Sequence, residues 1–286
     1  MRLQAFLVLL ALSGLASKAM ASPYSFLVKV SGHGKPMILI PGLSCGTDEW
    51  TSTIEHFQGR YEIHAITLPG FAGQPPIPAP MLPRVRQEIQ SYIRDLHLDH
   101  PVIIGHSLGG HMAMWIAATS PKLVSKVVSV DGPASLPAIL DPNATVKSVS
   151  KMAESIRDTL VKSDPIAFKQ STKRSLSSMI TKPSDAAWIL ESSEKSDPRS
   201  VGEAIYELYS TDLRPLVGKI ESPVLMLAAG AFVTSSDMEK QVLAVYEAEV
   251  KTIPKHKVVV SRKARHFIML DDPEFYFREL DSFLNN

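Results

Sequence analysis

The stretch Pro101-Val102-Ile103-Ile104-Gly105-His106-Ser107-Leu108-Gly109-Gly110 decides how this chain folds. Its apolar start is the run expected of a strand buried on both faces. The Gly-x-Ser-x-Gly that follows fits a sharp strand-to-helix turn with a serine at its apex. Such a turn crowds the serine's neighbours, which explains small residues at Gly105 and Gly109, and Gly110 would let the departing helix lie close to the strand. Alanines and bulky apolar residues predict a helix from Leu108 to Thr119, ending before Pro121 as helices usually do before proline. Ser107 would then sit at a helix N-terminus, where unpaired N–H groups favour developing negative charge. The alternative is a harmless serine in an ordinary Gly-rich turn. The strand before and the helix after favour a nucleophile, because context is what makes this motif informative.

The chain has 286 residues, 45% hydrophobic and 21% charged, enough for one large domain or one domain carrying an insertion. Arg2, the apolar run Phe6 to Leu12, and Ala19-Met20-Ala21 give residues 1–21 the pattern of a secretory signal peptide cleaved after Ala21. Export to the periplasm or the medium is expected. The competing reading, a membrane anchor, suffers because the run is short for a bilayer span; no stable membrane insertion is expected after cleavage. Residues 1–21 hold Arg2 and Lys18 and no acid, so the 30 basic residues fall to 28 against 29 acidic ones, a net charge of −1. Nothing there favours nucleic acid. A single cysteine, Cys45, excludes an internal disulfide and a cysteine zinc site. His97 and His100 have ligand-like spacing but no third ligand. With no H-E-x-x-H, P-loop or G-x-G-x-x-G, neither metal nor cofactor is expected.

In chain order, strands are predicted at 25–30, 37–40, 61–67, 101–106, 126–131, 223–229 and 257–260. Helices are predicted at 48–57, 84–96, 108–119, 237–248 and 272–284. This alternation implies an α/β fold, with a mostly parallel sheet covered by helices on both faces. Residues 133–222 are charged, serine-rich and helical in pattern. They read as a helical cap inserted into a core formed by 22–132 and 223–286.

Ile40-Pro41-Gly42-Leu43, Leu68-Pro69-Gly70-Phe71-Ala72-Gly73, the Ser107 motif and Arg265-His266-Phe267 through Pro273 together resemble the α/β-hydrolase superfamily. The likeness is to its capped serine-hydrolase type, as in exported bacterial hydrolases of undefined substrate. It implies His266, after the last strand, as the base that takes the Ser107 proton. It also implies an oxyanion hole from the backbone N–H groups of Leu43 and Leu108. The loop reads Pro-Gly-Leu where relatives often have His-Gly-x, but backbone donors do not depend on side-chain identity.

The acid departs from the common pattern. Gly230-Ala231-Phe232-Val233 has no carboxylate where most relatives carry one. Some relatives place the acid one strand earlier, which points to Asp131 in Val130-Asp131-Gly132-Pro133. Its competing reading is a turn aspartate. Asp237 is the alternative acid, although Ser236-Asp237-Met238-Glu239 also reads as a helix start; a Ser–His dyad is the third option. Asp271 and Asp272 read as caps of the last helix. His106 would line the pocket, Cys45 reads as packing, Trp115 and Trp188 read as core, and Trp50 and Phe71 would face the site.

The expected chemistry is hydrolysis of a small or medium carboxylic ester or lactone, a small-molecule substrate, through an acyl-enzyme on Ser107. The resemblance implies that serine at the turn disfavours dehalogenase and epoxide-hydrolase chemistry, which in that superfamily uses aspartate there. An aminopeptidase, a C–C hydrolase and a cofactor-free perhydrolase are alternatives on the same residues. A non-catalytic ligand-binding module on this fold is the alternative of a different class. Oligomeric state is not legible.

Overall fold

A computed structural model describes residues 23–285, so the leader-like segment 1–21 lies outside the described residues. The sheet has seven strands: β1 (Leu27–Gly32), β2 (Lys35–Ile40), β3 (Tyr61–Thr67), β4 (Val102–His106), β5 (Lys126–Val130), β6 (Val224–Ala229) and β7 (His256–Ser261). Their spatial order is β1-β3-β2-β4-β5-β6-β7. Only β1 runs antiparallel, against β3; the other pairings are parallel. The expected mostly parallel sheet is therefore present. The strand expected at 25–30 begins at Leu27 and runs on to Gly32, and β2 begins at Lys35 rather than Met37.

Helices of the core are α1 (Thr51–Phe57), α2 (Leu82–Asp95) and α3 (Leu108–Thr119). Between β5 and β6 come α4 (Leu136–Leu140), α5 (Val146–Val161), α6 (Pro165–Met179), α7 (Pro183–Ser193) and α8 (Pro198–Tyr209). The chain closes with α9 (Ser236–Val250), α10 (Ile268–Asp271) and α11 (Pro273–Asn285). The helix expected from Asp48 splits: Thr47–Trp50 is a 3-10 turn, and α1 proper starts at Thr51. The last helix expected at 272–284 is found from Pro273 to Asn285, and the short α10 before it ends at Asp271 because Pro273 cannot donate to a continuing helix.

Strand side chains alternate between two cores, as a period of two requires. Ile38, Ile40, Ile66, Ile103 and Val127 pack with α2 and α3 on one face. Met37, Leu39, Ile63, Ile104 and Val128 pack with Phe57 and with Phe275, Tyr276 and Leu280 of α11 on the other. Helix α3 is buried nearly all round, consistent with its place against the centre of the sheet.

Among the described residues the insertion holds helices and no strand. Thr145 forms a capping box with Ser148, and Asp164 and Asp197 cap α6 and α8 ahead of Pro165 and Pro198. Buried Glu207 of α8 accepts from the amides of Met81 (2.7 Å) and Leu82 (2.6 Å), so the insertion caps a core helix, α2. No described helix is long and apolar enough to cross a membrane.

The tightest packing is where α3 leaves β4. A Cβ on Gly109 would stand 2.0 Å from the Ile40 carbonyl oxygen, and one on Gly105 would stand 2.0 Å from that of Gly109. Because both obstacles are backbone, Gly109→Ala is expected to destabilise the protein by about 3 kcal/mol, read by urea unfolding.

Candidate active site

Three neighbouring parallel strands, β2, β4 and β5, end on the same edge of the sheet. This is where ligand crevices form in α/β folds. The loops leaving them carry Leu43, Ser107 and Asp131. Ser107 is the N-cap of α3 at φ 53° and ψ −117°, a conformation that costs a residue with a side chain about 1–3 kcal/mol. Two backbone bonds hold it there: Ser107 N donates to Val130 O (2.8 Å), and His111 N donates to Ser107 O (3.1 Å). Every other residue from Val102 to Gly110 is buried, whereas Ser107 is partly exposed. Leu108 is the first residue of α3, where an amide has no partner within the helix. The Leu43 loop is curled by a bond from Cys45 N to Gly42 O (3.2 Å).

His266 lies between β7 and α10 and shares a 2.6 Å hydrogen bond, Nδ1 to Asp131 Oδ2. The other carboxylate oxygen of Asp131 accepts from Tyr246 Oη (2.6 Å) and from Ala229 N (2.9 Å). Asp131 is itself at φ 49°, and its amide donates to Leu227 O (2.7 Å), so the turn after β5 is fastened to β6. Burial alone would push this carboxyl up. Donation from His266, Tyr246 and Ala229 outweighs it and holds the group below the usual aspartate value. Asp237, by contrast, is 85% exposed in the first turn of α9 and pairs with Lys240. Of the two candidate acids, the structure brings Asp131 to His266.

Some sequence expectations hold, Cys45 as packing and Trp115 and Trp188 against the cores among them, and others need correction. Trp50 and Phe71 do not face the site; both are fully buried, each in one of the two cores. Asp272 does precede the last helix, and its carbonyl accepts from Tyr276 N (3.0 Å), but the side chains of Asp271 and Asp272 bond elsewhere. Asp272 accepts from Ser261 Oγ (2.7 Å), while Asp271 accepts from Thr181 N, Thr181 Oγ1 and Arg265 N (each 2.9 Å), tying the insertion to the His266 loop. Trp115 and Trp188 are only partly buried at the rims of the cores. Cys45 is buried, which pushes its thiol well above the ordinary value. His106 is buried rather than pocket-lining in any exposed sense. His97 and His100 are turn residues at positive φ, and no cluster suited to a metal occurs among the described residues. Tyr246 was missed. A tyrosine 115 residues from its aspartate leaves no local signal.

A family model described as alpha/beta hydrolase fold matches residues 35–273. The chain belongs to the α/β-hydrolase family. Among its relatives, the pimeloyl-[acyl-carrier protein] methyl ester esterase of Nitrosomonas europaea is 21% identical over 70% of this chain and 78% of that one. The sn-1-specific diacylglycerol lipase of Danio rerio is 23% identical over 95% of this chain and 86% of its own. Among solved structures, an esterase from Thermogutta terrifontis superposes with a TM-score of 0.75. It is 18% identical and covers 91% of this chain and 93% of the other. The chain is thus an α/β-hydrolase enzyme in fold and family.

Two outcomes follow from the surroundings of Asp131. Tyr246→Phe removes a charge-assisted donor, and a stability loss of about 1–3 kcal/mol is expected in urea unfolding at pH 7. On the same helix, Glu249 accepts from Ser135 N (2.5 Å), and burial pushes its carboxyl up to about 7. The folded protein therefore keeps a proton that the unfolded chain releases from about pH 4.5, and stability falls as pH rises towards 7. In Glu249→Gln the residue stays neutral and can still accept. Its stability relative to the parent should rise by on the order of 2–3 kcal/mol between pH 4.5 and pH 8.

Proposed function

We propose that this enzyme is a serine hydrolase that cleaves a small or medium carboxylic ester or lactone through an acyl-enzyme on Ser107. The observation that carries this reading is the 2.6 Å bond between His266 Nδ1 and Asp131. Because the carboxylate is an acceptor, Nδ1 carries hydrogen, and in the neutral imidazole Nε2 is left with a lone pair for the serine proton. Ser107 Oγ attacks the ester carbonyl carbon while its proton passes to His266 Nε2. The carbonyl oxygen becomes an oxyanion, stabilised by the amides of Leu43 and Leu108. Collapse breaks the bond to the leaving alkoxy oxygen, which takes the proton from His266. Water, deprotonated by the same nitrogen, then attacks the acyl-enzyme, and Ser107 recovers its proton as the acid departs.

An ester is favoured over an amide because the relatives named above carry ester cleavage in their names, a methyl ester in one and a diacylglycerol in the other. The insertion, which follows the Asp131 turn directly, is the element we assign to acyl selection. Export, with cleavage after Ala21, belongs to the same proposal and rests on the leader-like pattern of residues 1–21.

The test combines a fluorophosphonate probe with p-nitrophenyl butyrate hydrolysis. Native parent protein should be labelled at Ser107, and heat-denatured protein and Ser107→Ala should not. Asp131→Asn is expected to lower kcat by about a hundredfold or more. Asp237→Asn should stay within about twofold, as befits an exposed residue. A folded Asp131→Asn variant that loses less than tenfold would remove Asp131 from the mechanism.

A further inference from the structure

One buried charged pair beside the site takes no part in that mechanism. Glu49, in the 3-10 turn after β2, and His106, the last residue of β4, are each 1% exposed. Glu49 Oε1 and His106 Nδ1 form an ion pair. The remaining partners fix where the protons are. A backbone carbonyl can only accept, so the 3.0 Å contact to His266 O puts a hydrogen on His106 Nε2. An amide can only donate, so Glu49 Oε2 accepts from Gly42 N at 2.9 Å. One further proton must lie between Oε1 and Nδ1; otherwise two lone pairs would face each other in direct contact, away from solvent. Burial works against a charged His106, but the Glu49 carboxylate prevails and holds the imidazole above its ordinary value.

Three loops meet on this pair. Gly42 belongs to the loop of Leu43, His106 immediately precedes Ser107, and the carbonyl at the far end is that of His266. The contacts are close: the His106 and His266 ring centroids are 4.6 Å apart. A Cβ on Gly42 would lie 2.8 Å from His106 Nδ1, so the backbone of that loop rests directly on the imidazole.

We propose that Glu49 is a positioning residue for the reaction: through His106 and the Gly42 amide it fixes the oxyanion loop, the nucleophile turn and the base loop against one another. This rests on the serine-hydrolase reading above. Glu49 touches none of the reacting atoms in that reading, so it acts on the alignment of groups that do. Misalignment lowers kcat, and it leaves KM nearly unchanged where the groups that bind substrate are elsewhere.

The experiment compares parent, Glu49→Gln and Glu49→Leu by kcat and KM for p-nitrophenyl butyrate and by the rate of Ser107 labelling with the fluorophosphonate. A glutamine can accept from Gly42 N and donate to Nδ1 of a neutral His106, keeping every contact without the charge. Glu49→Gln should therefore stay within about fivefold of the parent, whereas Glu49→Leu should lose about tenfold to a hundredfold in kcat and in labelling rate, with KM within threefold. If Glu49→Leu fails to fold because His106 is left charged and alone, Glu49→Leu/His106→Leu replaces the pair with apolar groups, which buried sites often tolerate. That variant should melt near the parent and still show the low kcat. A folded variant of either kind within threefold of the parent overturns the proposal, as does a Glu49→Gln as slow as Glu49→Leu. A parent whose Ser107 does not label overturns the serine-hydrolase reading and this proposal together. An active parent indifferent to Glu49 overturns this proposal alone.

Discussion

The closeness with which α3 crosses the end of β2 is the constraint on which the rest of this structure depends. Gly109 sits against the carbonyl of Ile40, and Gly110 sits against Ser129 of β5, with distances that leave no room for a methyl group. A helix that close to the sheet cannot be reached by a gradual turn, so Ser107 alone absorbs the change of direction at φ 53°. The strain of one residue is offset by the burial of a whole helix, whose apolar side chains join the core beneath it. The same crossing keeps the first amide of α3 beside the loop from β2, the two elements from which the proposed oxyanion hole would be built.

Around that fixed point the site is held by long-range polar bonds from distant parts of the chain. A buried carboxylate at Asp131 is tolerable only if donors replace its lost water. His266, Tyr246 and Ala229 supply them from three separate elements. The carboxylate that meets His266 stands after β5, and the segment after β6 is committed elsewhere. Gly230 and Ala231 both donate to Ala264 O, at 3.1 and 2.9 Å, and Phe232 is largely exposed. Glu249 repeats the theme one helical turn beyond Tyr246. It receives the Ser135 amide, so α9 fastens both the acid and the start of the insertion.

The insertion is joined to the core by bonds that leave its outer helices largely solvated. Glu207 caps α2, Ser196 bridges Ala72 N (2.9 Å) and Ser44 O (3.1 Å), and Asp271 holds Thr181. Such side-chain ties fix the insertion at points on the β2, β3 and β7 loops, while its buried Phe168, Leu176 and Ile189 join the two cores of the sheet.

How much of this was legible follows from the range of the interactions involved. The sequence by itself determined the sheet-and-helix alternation, the sharp turn at Ser107, the helical insertion and the late histidine. Those features rest on local periodicity, on glycine and proline, and on contacts between neighbours in the chain. It also narrowed the acid to Asp131 and Asp237, since each stands where a strand or helix ends. Only the tertiary structure shows which of the two carboxylates meets the His266 ring, because Asp131 and that ring stand 135 residues apart. Likewise only the fold paired Glu49 with His106, recruited Tyr246 to Asp131, and sent Trp50 and Phe71 into the cores. A buried charge is settled by partners that arrive from elsewhere in the chain, and no local pattern records where they come from.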